Sequence, residues 1–229
     1  LCLHTRDSVS FLTMEGDQYT ELSRFKTRSQ NLSMVLKENG AAIVGEDSAI
    51  HIFDFTPEDL PTVERYEANG CVSCDLLGQE AMVSAQEDGK LVVYLTKPKG
   101  QSYIIAEMKE PSAISAFGPI DQEKSTFLIA CGGRDGTVGI WRWRLNELTG
   151  EEVFREKVHK GMVTSVCFVG EKLLLSGGVD KKIYPLNLTS PSVRQEPFEL
   201  KLQCQGMKVE GLKGKKEREM LLVAGAVNK

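Results

Sequence analysis

The side chains of this chain most suited to chemistry are its three histidines, six cysteines and two tryptophans, and their spacing limits what they can do. His4 and His51 lie in apolar runs far apart in sequence, and neither they nor His159 has a Gly-x-Ser-x-Gly elbow nearby. No Gly-x4-Gly-Lys-Ser/Thr phosphate loop occurs, and "CGGRDG" (131–136) joins two strand-like runs, where a hairpin accounts for its glycines better than a nucleotide does. The one close cysteine pair, "CVSC" at Cys71 and Cys74, sits in a strand-like stretch. Spacing of three on a strand predicts opposite faces, which suits neither a shared metal nor a disulfide. Calcium at "EDGK" (87–90) would need more converging oxygens than the sequence offers. The expectation is therefore no catalytic residue, no metal, no cofactor and no small-molecule substrate.

Two features point to macromolecules instead. "WRWR" alternates so that Trp141 and Trp143 share one strand face while Arg142 and Arg144 share the other. Trp143, nearer the strand end, is expected to be half exposed. Arg142, Trp143 and Arg144 read either as edge packing or as a partner contact, Trp and Arg being enriched in interface hot spots. In "GLKGKKEREM" (211–220), Lys213, Lys215, Lys216 and Arg218 form either a solvated loop tip or a contact for RNA phosphates or an acidic partner.

The elements that would hold these residues repeat. Asp7, Asp47, Asp88, Asp135 and Asp180 each lie in a short turn between two apolar strands, at successive separations of 40, 41, 47 and 45 residues. Asp-Gly and Asp-Ser there predict tight hairpins. Two further strand candidates fill each interval, such as "YIIAEM" and "AISAFGPI" before Asp135, so the period is four short strands. "TPEDLPTVERY" holds at most a helical turn, limited by its prolines. The polar stretches "LNELTGEE" (145–152) and "TSPSVRQEP" (189–197) read as loops between units.

The stretch "VHKGMVTSVCFVGEKLLLSGGVDKKIYPLNL" resembles a repeat of the WD-repeat β-propeller family, with His159 at the family's Gly-His histidine. "IACGGRDGTVGIW" is similar to its second half-repeat, with Trp141 six residues after Asp135. The resemblance implies a structural network of loop histidine, strand serine, turn aspartate and tryptophan. Here His159, Ser176 and Asp180 lack the tryptophan (Leu186 replaces it), and the Asp135 unit has Trp141 but no histidine. Phe53 and Tyr94 stand at the tryptophan position of other units.

The expectation is an all-β chain, a single propeller domain over 1–229, incomplete at both ends, with about five to six four-stranded antiparallel blades of about seven. Its loops would make it a non-catalytic scaffold within a multiprotein assembly. The alternatives are a subunit of an RNA–protein machine such as a ribosome-assembly particle, and a substrate-recognition subunit of a ubiquitin ligase, with Arg134 lining a basic pocket. A net charge of −4 gives no overall nucleic-acid footprint. No run is apolar enough for a membrane span, and scattered cysteines suggest an intracellular site, cytoplasmic or nuclear.

Overall fold

The computed structural model describes residues 2–4, 8–15, 18–26, 31–37, 40–45, 49–54, 62–68, 70–78, 80–96, 100–121, 123, 125–189 and 196–199. Every element among them is a strand, and all pair antiparallel in chain order. The first sheet has three strands: β1 (Cys2–His4), β2 (Ser8–Glu15) and β3 (Gln18–Lys26). The second comprises β4 (Asn31–Lys37), β5 (Gly40–Gly45), β6 (Ala49–Asp54) and β7 (Thr62–Glu67). The third comprises β8 (Cys71–Leu77), β9 (Ala81–Gln86), β10 (Lys90–Leu95) and β11 (Ser102–Glu107). The fourth comprises β12 (Pro111–Asp121), β13 (Thr126–Gly133), β14 (Thr137–Arg144) and β15 (Thr149–Lys157). The fifth comprises β16 (Val163–Phe168), β17 (Leu173–Gly178), β18 (Lys182–Asn187) and β19 (Phe198–Glu199).

Each sheet packs on the next. Phe11 and Phe25 meet Phe53 between the first and second sheets, and Ile50, Ile52 and Tyr66 meet Cys74, Met82 and Val92 between the second and third. Leu77, Val83 and Val93 meet Ile129, Trp141 and Trp143 between the third and fourth. Val138, Ile140 and Phe154 meet Val163, Val166 and Leu174 between the fourth and fifth. Apolar burial explains why β9 and β13 are buried along their whole length: both faces of each are covered, as in a sheet sandwiched between two others. In β17, which has a neighbouring sheet on one face among the described residues, burial alternates instead.

The first strand of every four-stranded sheet carries a β-bulge at its second residue. Asn31 and Ser33 face Gly45 and Val44, leaving Leu32 extra. Val72, Ser112 and Thr164 are extra at the same place in β8, β12 and β16. The bulge overturns the expectation for "CVSC". Cys71 faces Gln86 and Cys74 faces Ser84, two residues of equal parity, so both thiols enter the same core against the second sheet. At the bulges of β12 and β16 the side chain is a hydroxyl. Ser112 Oγ is 3.0 Å from the Gly132 carbonyl and Thr164 Oγ1 is 3.1 Å from that of Gly177.

The aspartate hairpins have three-residue loops: 87–89, 134–136 and 179–181. Each is a turn closed by an i+3 backbone bond (Gly89 to Gln86, Gly136 to Gly133, Lys181 to Gly178), and the residue that donates it is at positive φ. The aspartate at the loop centre accepts the N–H two residues on: Lys90 at 3.1 Å, Thr137 at 2.9 Å, Lys182 at 3.3 Å. The first loop residue donates its N–H to the carbonyl just before the sheet's first strand: Glu87 to Gly70, Arg134 to Glu110, Val179 to Met162. Three units repeat one hydrogen-bond scheme despite unlike sequences.

The polar stretches 145–152 and 189–197 do not lie between units as expected. Residues 145–148 turn β14 into β15 and run on into that strand, and 189–197 separates β18 from β19, each within one sheet. The chain changes sheet after the fourth strand, through short segments such as 108–110 and 158–162.

Candidate functional site

The most ordered polar constellation is built at the end of the fifth sheet. The segment leaving β15 is pinned when the N–H groups of Val158 and His159 both reach the Gly136 carbonyl, each at 3.0 Å. That places the His159 ring over the β17–β18 hairpin. Gly178 leaves the room: a Cβ there would stand 2.4 Å from Nδ1. Nδ1 lies 2.9 Å from Asp180 Oδ1 and Nε2 lies 3.0 Å from Ser176 Oγ, while Tyr184 packs edge-on at 4.8 Å. An ionised carboxylate only accepts, so Nδ1 carries the proton of the bond to Asp180. The other carboxylate oxygen takes the Lys160 N–H at 3.0 Å. Burial works against the charge of Asp180, but the His159 ring and the N–H groups of Lys160 and Lys182 outweigh it and hold its carboxyl below its ordinary value.

Serine, histidine and aspartate are here connected as in an acyl-transfer triad. Access decides what the connection does: Ser176 is 0% and His159 1% exposed, so in this conformation no substrate carbonyl reaches Oγ. The arrangement ties the inter-sheet segment, the second strand and the turn into one unit, each buried polar atom satisfied by another. Leu186 fills the tryptophan position as a buried apolar residue of that core.

The equivalent places in the preceding sheets are filled differently. In the fourth, buried Met108 takes the histidine's place, its Cε 3.1 Å from where a Cβ on Gly133 would be. Burial works against the charge of Asp135, but the Thr137 N–H and hydroxyl, with the Lys157 and Lys109 charges, outweigh it, so its carboxyl is also lowered. Trp141 is buried in the core with the third sheet, the Arg155 guanidinium 5.4 Å from its ring centre. In the third sheet Gln86 stands where the others have glycine, and its side-chain N–H reaches Tyr94 Oη at 2.8 Å. Asp88 pairs with Lys90, whose ammonium and N–H lower its carboxyl.

Trp143 is not half exposed but 3% exposed, because it shares the Trp141 face and that face is covered by the third sheet. Arg142 and Arg144 lie on the opposite face, both turned to Glu151. Arg134 is exposed at the β13–β14 turn. Asp7, Asp47, Lys213, Lys215, Lys216 and Arg218 lie outside the described residues. Among the described residues no group of three or more His, Cys, Asp or Glu side chains is placed to hold a metal ion. Also among them, no helix is long and apolar enough to cross a membrane.

Three residues that join sheets escaped the sequence reading. Asp75, buried in β8, accepts the Ala116 N–H of β12 at 2.7 Å and the Leu76 N–H at 2.7 Å. Ser112 Oγ also lies 2.6 Å from the Val163 carbonyl of β16. Arg155 reaches the Glu107 carbonyl of β11 at 3.0 Å. A lone aspartate in "CVSCDLL" was the one available signal. Comparison with protein-family models and with curated proteins found no match.

Proposed function

We propose that the chain is part of a WD-repeat-type β-propeller that serves as a non-catalytic protein–protein scaffold within a larger assembly. The observation that carries this is the shared hydrogen-bond scheme of the turns at Asp88, Asp135 and Asp180, on sheets that stack in chain order. A sheet that must bury both faces needs a neighbour on each side, and a ring of sheets supplies one everywhere. The reading puts the whole of 1–229 in one domain. His159, Ser176, Asp180 and Trp141 are structural in this reading, and the loops at the sheet ends meet partners. Free thiols at Cys71, Cys74, Cys131 and Cys167 support an intracellular site for it.

The test is purification of the full-length protein at native level, with its molecular mass measured by light scattering. A stable stoichiometric complex is expected. A bare monomer with no companion would remove the scaffold reading.

A further inference from the structure

The turn ends of the fourth and fifth sheets gather positive side chains that no ion pair among the described residues engages. Arg134, Lys160 and Lys181 are exposed and Lys182 is half-buried. The two nearest turn carboxylates are directed inward: Asp135 to the Thr137 N–H, Asp180 to His159 and the N–H groups of Lys160 and Lys182. Along the same row of turns the third sheet presents mixed charge, with Glu87, Asp88 and Glu107 beside Lys90 and Lys109, and exposed Glu110 gives its backbone carbonyl to the Arg134 N–H. Val179 stands among the lysines, 53% exposed, its Cγ2 2.8 Å from where a Cβ on Gly161 would be.

The three turns differ at their last residue. The last loop residue is Gly89 (φ +91°) and Gly136 (φ +92°) in two hairpins, but Lys181 (φ +63°) in the third. Glycine would relieve that conformation, and of these three turns the third alone places a charged side chain there.

Resting on the scaffold reading, we propose that Arg134, Lys160, Val179, Lys181 and Lys182 form a docking surface for an acidic segment of a partner protein. Its carboxylates meet the four cations and an apolar residue covers Val179. Charge complementarity of this kind fixes orientation and accelerates encounter.

The test uses the full-length protein and fluorescence anisotropy with a labelled peptide of alternating glutamate and leucine, beside a labelled oligouridylate. The peptide binds, its affinity falls as salt rises, and Lys160→Glu/Lys181→Glu weakens it about tenfold. Lys181→Gly separates folding from binding: its thermal midpoint rises while peptide affinity drops. No peptide binding, equal binding by the charge-reversed protein, or binding of oligouridylate but not peptide would each overturn the surface. If the charge-reversed protein still enters its native complex unchanged, the docking surface falls and the scaffold reading stands. If the native protein has no complex, the scaffold reading itself falls.

Discussion

A single buried imidazole organises the end of the fifth sheet, because its two nitrogens match one acceptor and one hydroxyl within 3.0 Å. Removing it leaves the buried Ser176 hydroxyl without that partner and the Asp180 carboxylate with only the Lys160 and Lys182 N–H groups. His159→Ala is expected to cost about 2–4 kcal/mol, read from a urea midpoint shift. The aspartate adds pH dependence. The folded chain holds the Asp180 carboxyl below its unfolded value, so the unfolded chain takes up the proton first. The stability it contributes is complete above about pH 4 and is lost as pH falls further. Asp180→Asn should flatten that part of the acid limb in denaturation curves measured from about pH 5 to pH 2; an unchanged slope would show that the carboxylate is not held as described. Asp75 differs in joining two sheets. Asp75→Ala leaves the Ala116 N–H buried and unpaired, at an expected cost of about 1–3 kcal/mol.

Hairpins are where glycine identity separates backbone strain from crowding. Gly136 and Gly170 are both at positive φ, +92° and +70°. A Cβ on Gly136 would stand 2.2 Å from the His159 carbonyl, whereas one on Gly170 would meet nothing within 4 Å. Gly170→Ala should cost about 1 kcal/mol, the left-handed penalty alone. Gly136→Ala must also push the His159 segment away and should cost at least twice as much, measured side by side by thermal unfolding. Equal costs would mean that the segment is not seated on the turn. The same logic explains Gly178, whose missing side chain is the space the imidazole occupies.

Across the whole molecule, stability resides in the faces between sheets. Trp141 and Trp143 both belong to the core joining the third and fourth sheets, and Trp141→Ala should destabilise by about 3–5 kcal/mol. Thiol chemistry reads the same cores. Burial pushes the Cys71 thiol up to about 12, offset in part by the Ser84 hydroxyl, and raises Cys74 and Cys131 strongly as well. Alkylation of the native chain, mapped by peptide mass, should label exposed Cys167 and leave Cys71, Cys74 and Cys131 unmodified until denaturant is added. Rapid labelling of Cys74 in the native chain would contradict the packing of the third sheet on the second.

What was legible from composition and order alone was periodic and local. Strand length, the four-strand interval, the aspartate turns and the pairing of Trp141 with Trp143 on one face all follow from backbone geometry and side-chain alternation. His159, Ser176 and Asp180 could be named together, but only from a resemblance; their separation of 17 and 21 residues in the chain says nothing by itself about a contact. Tertiary structure decided the rest. One inserted residue, Val72, turned Cys71 to the face of Cys74, and a neighbouring sheet buried Trp143 where alternation set only its side. Met108 took a histidine's place because the space over Gly133 had to be filled, whatever the residue type. Alternation fixes which side a residue faces, whereas burial depends on what another stretch of chain brings to that side, and a local pattern carries no record of it.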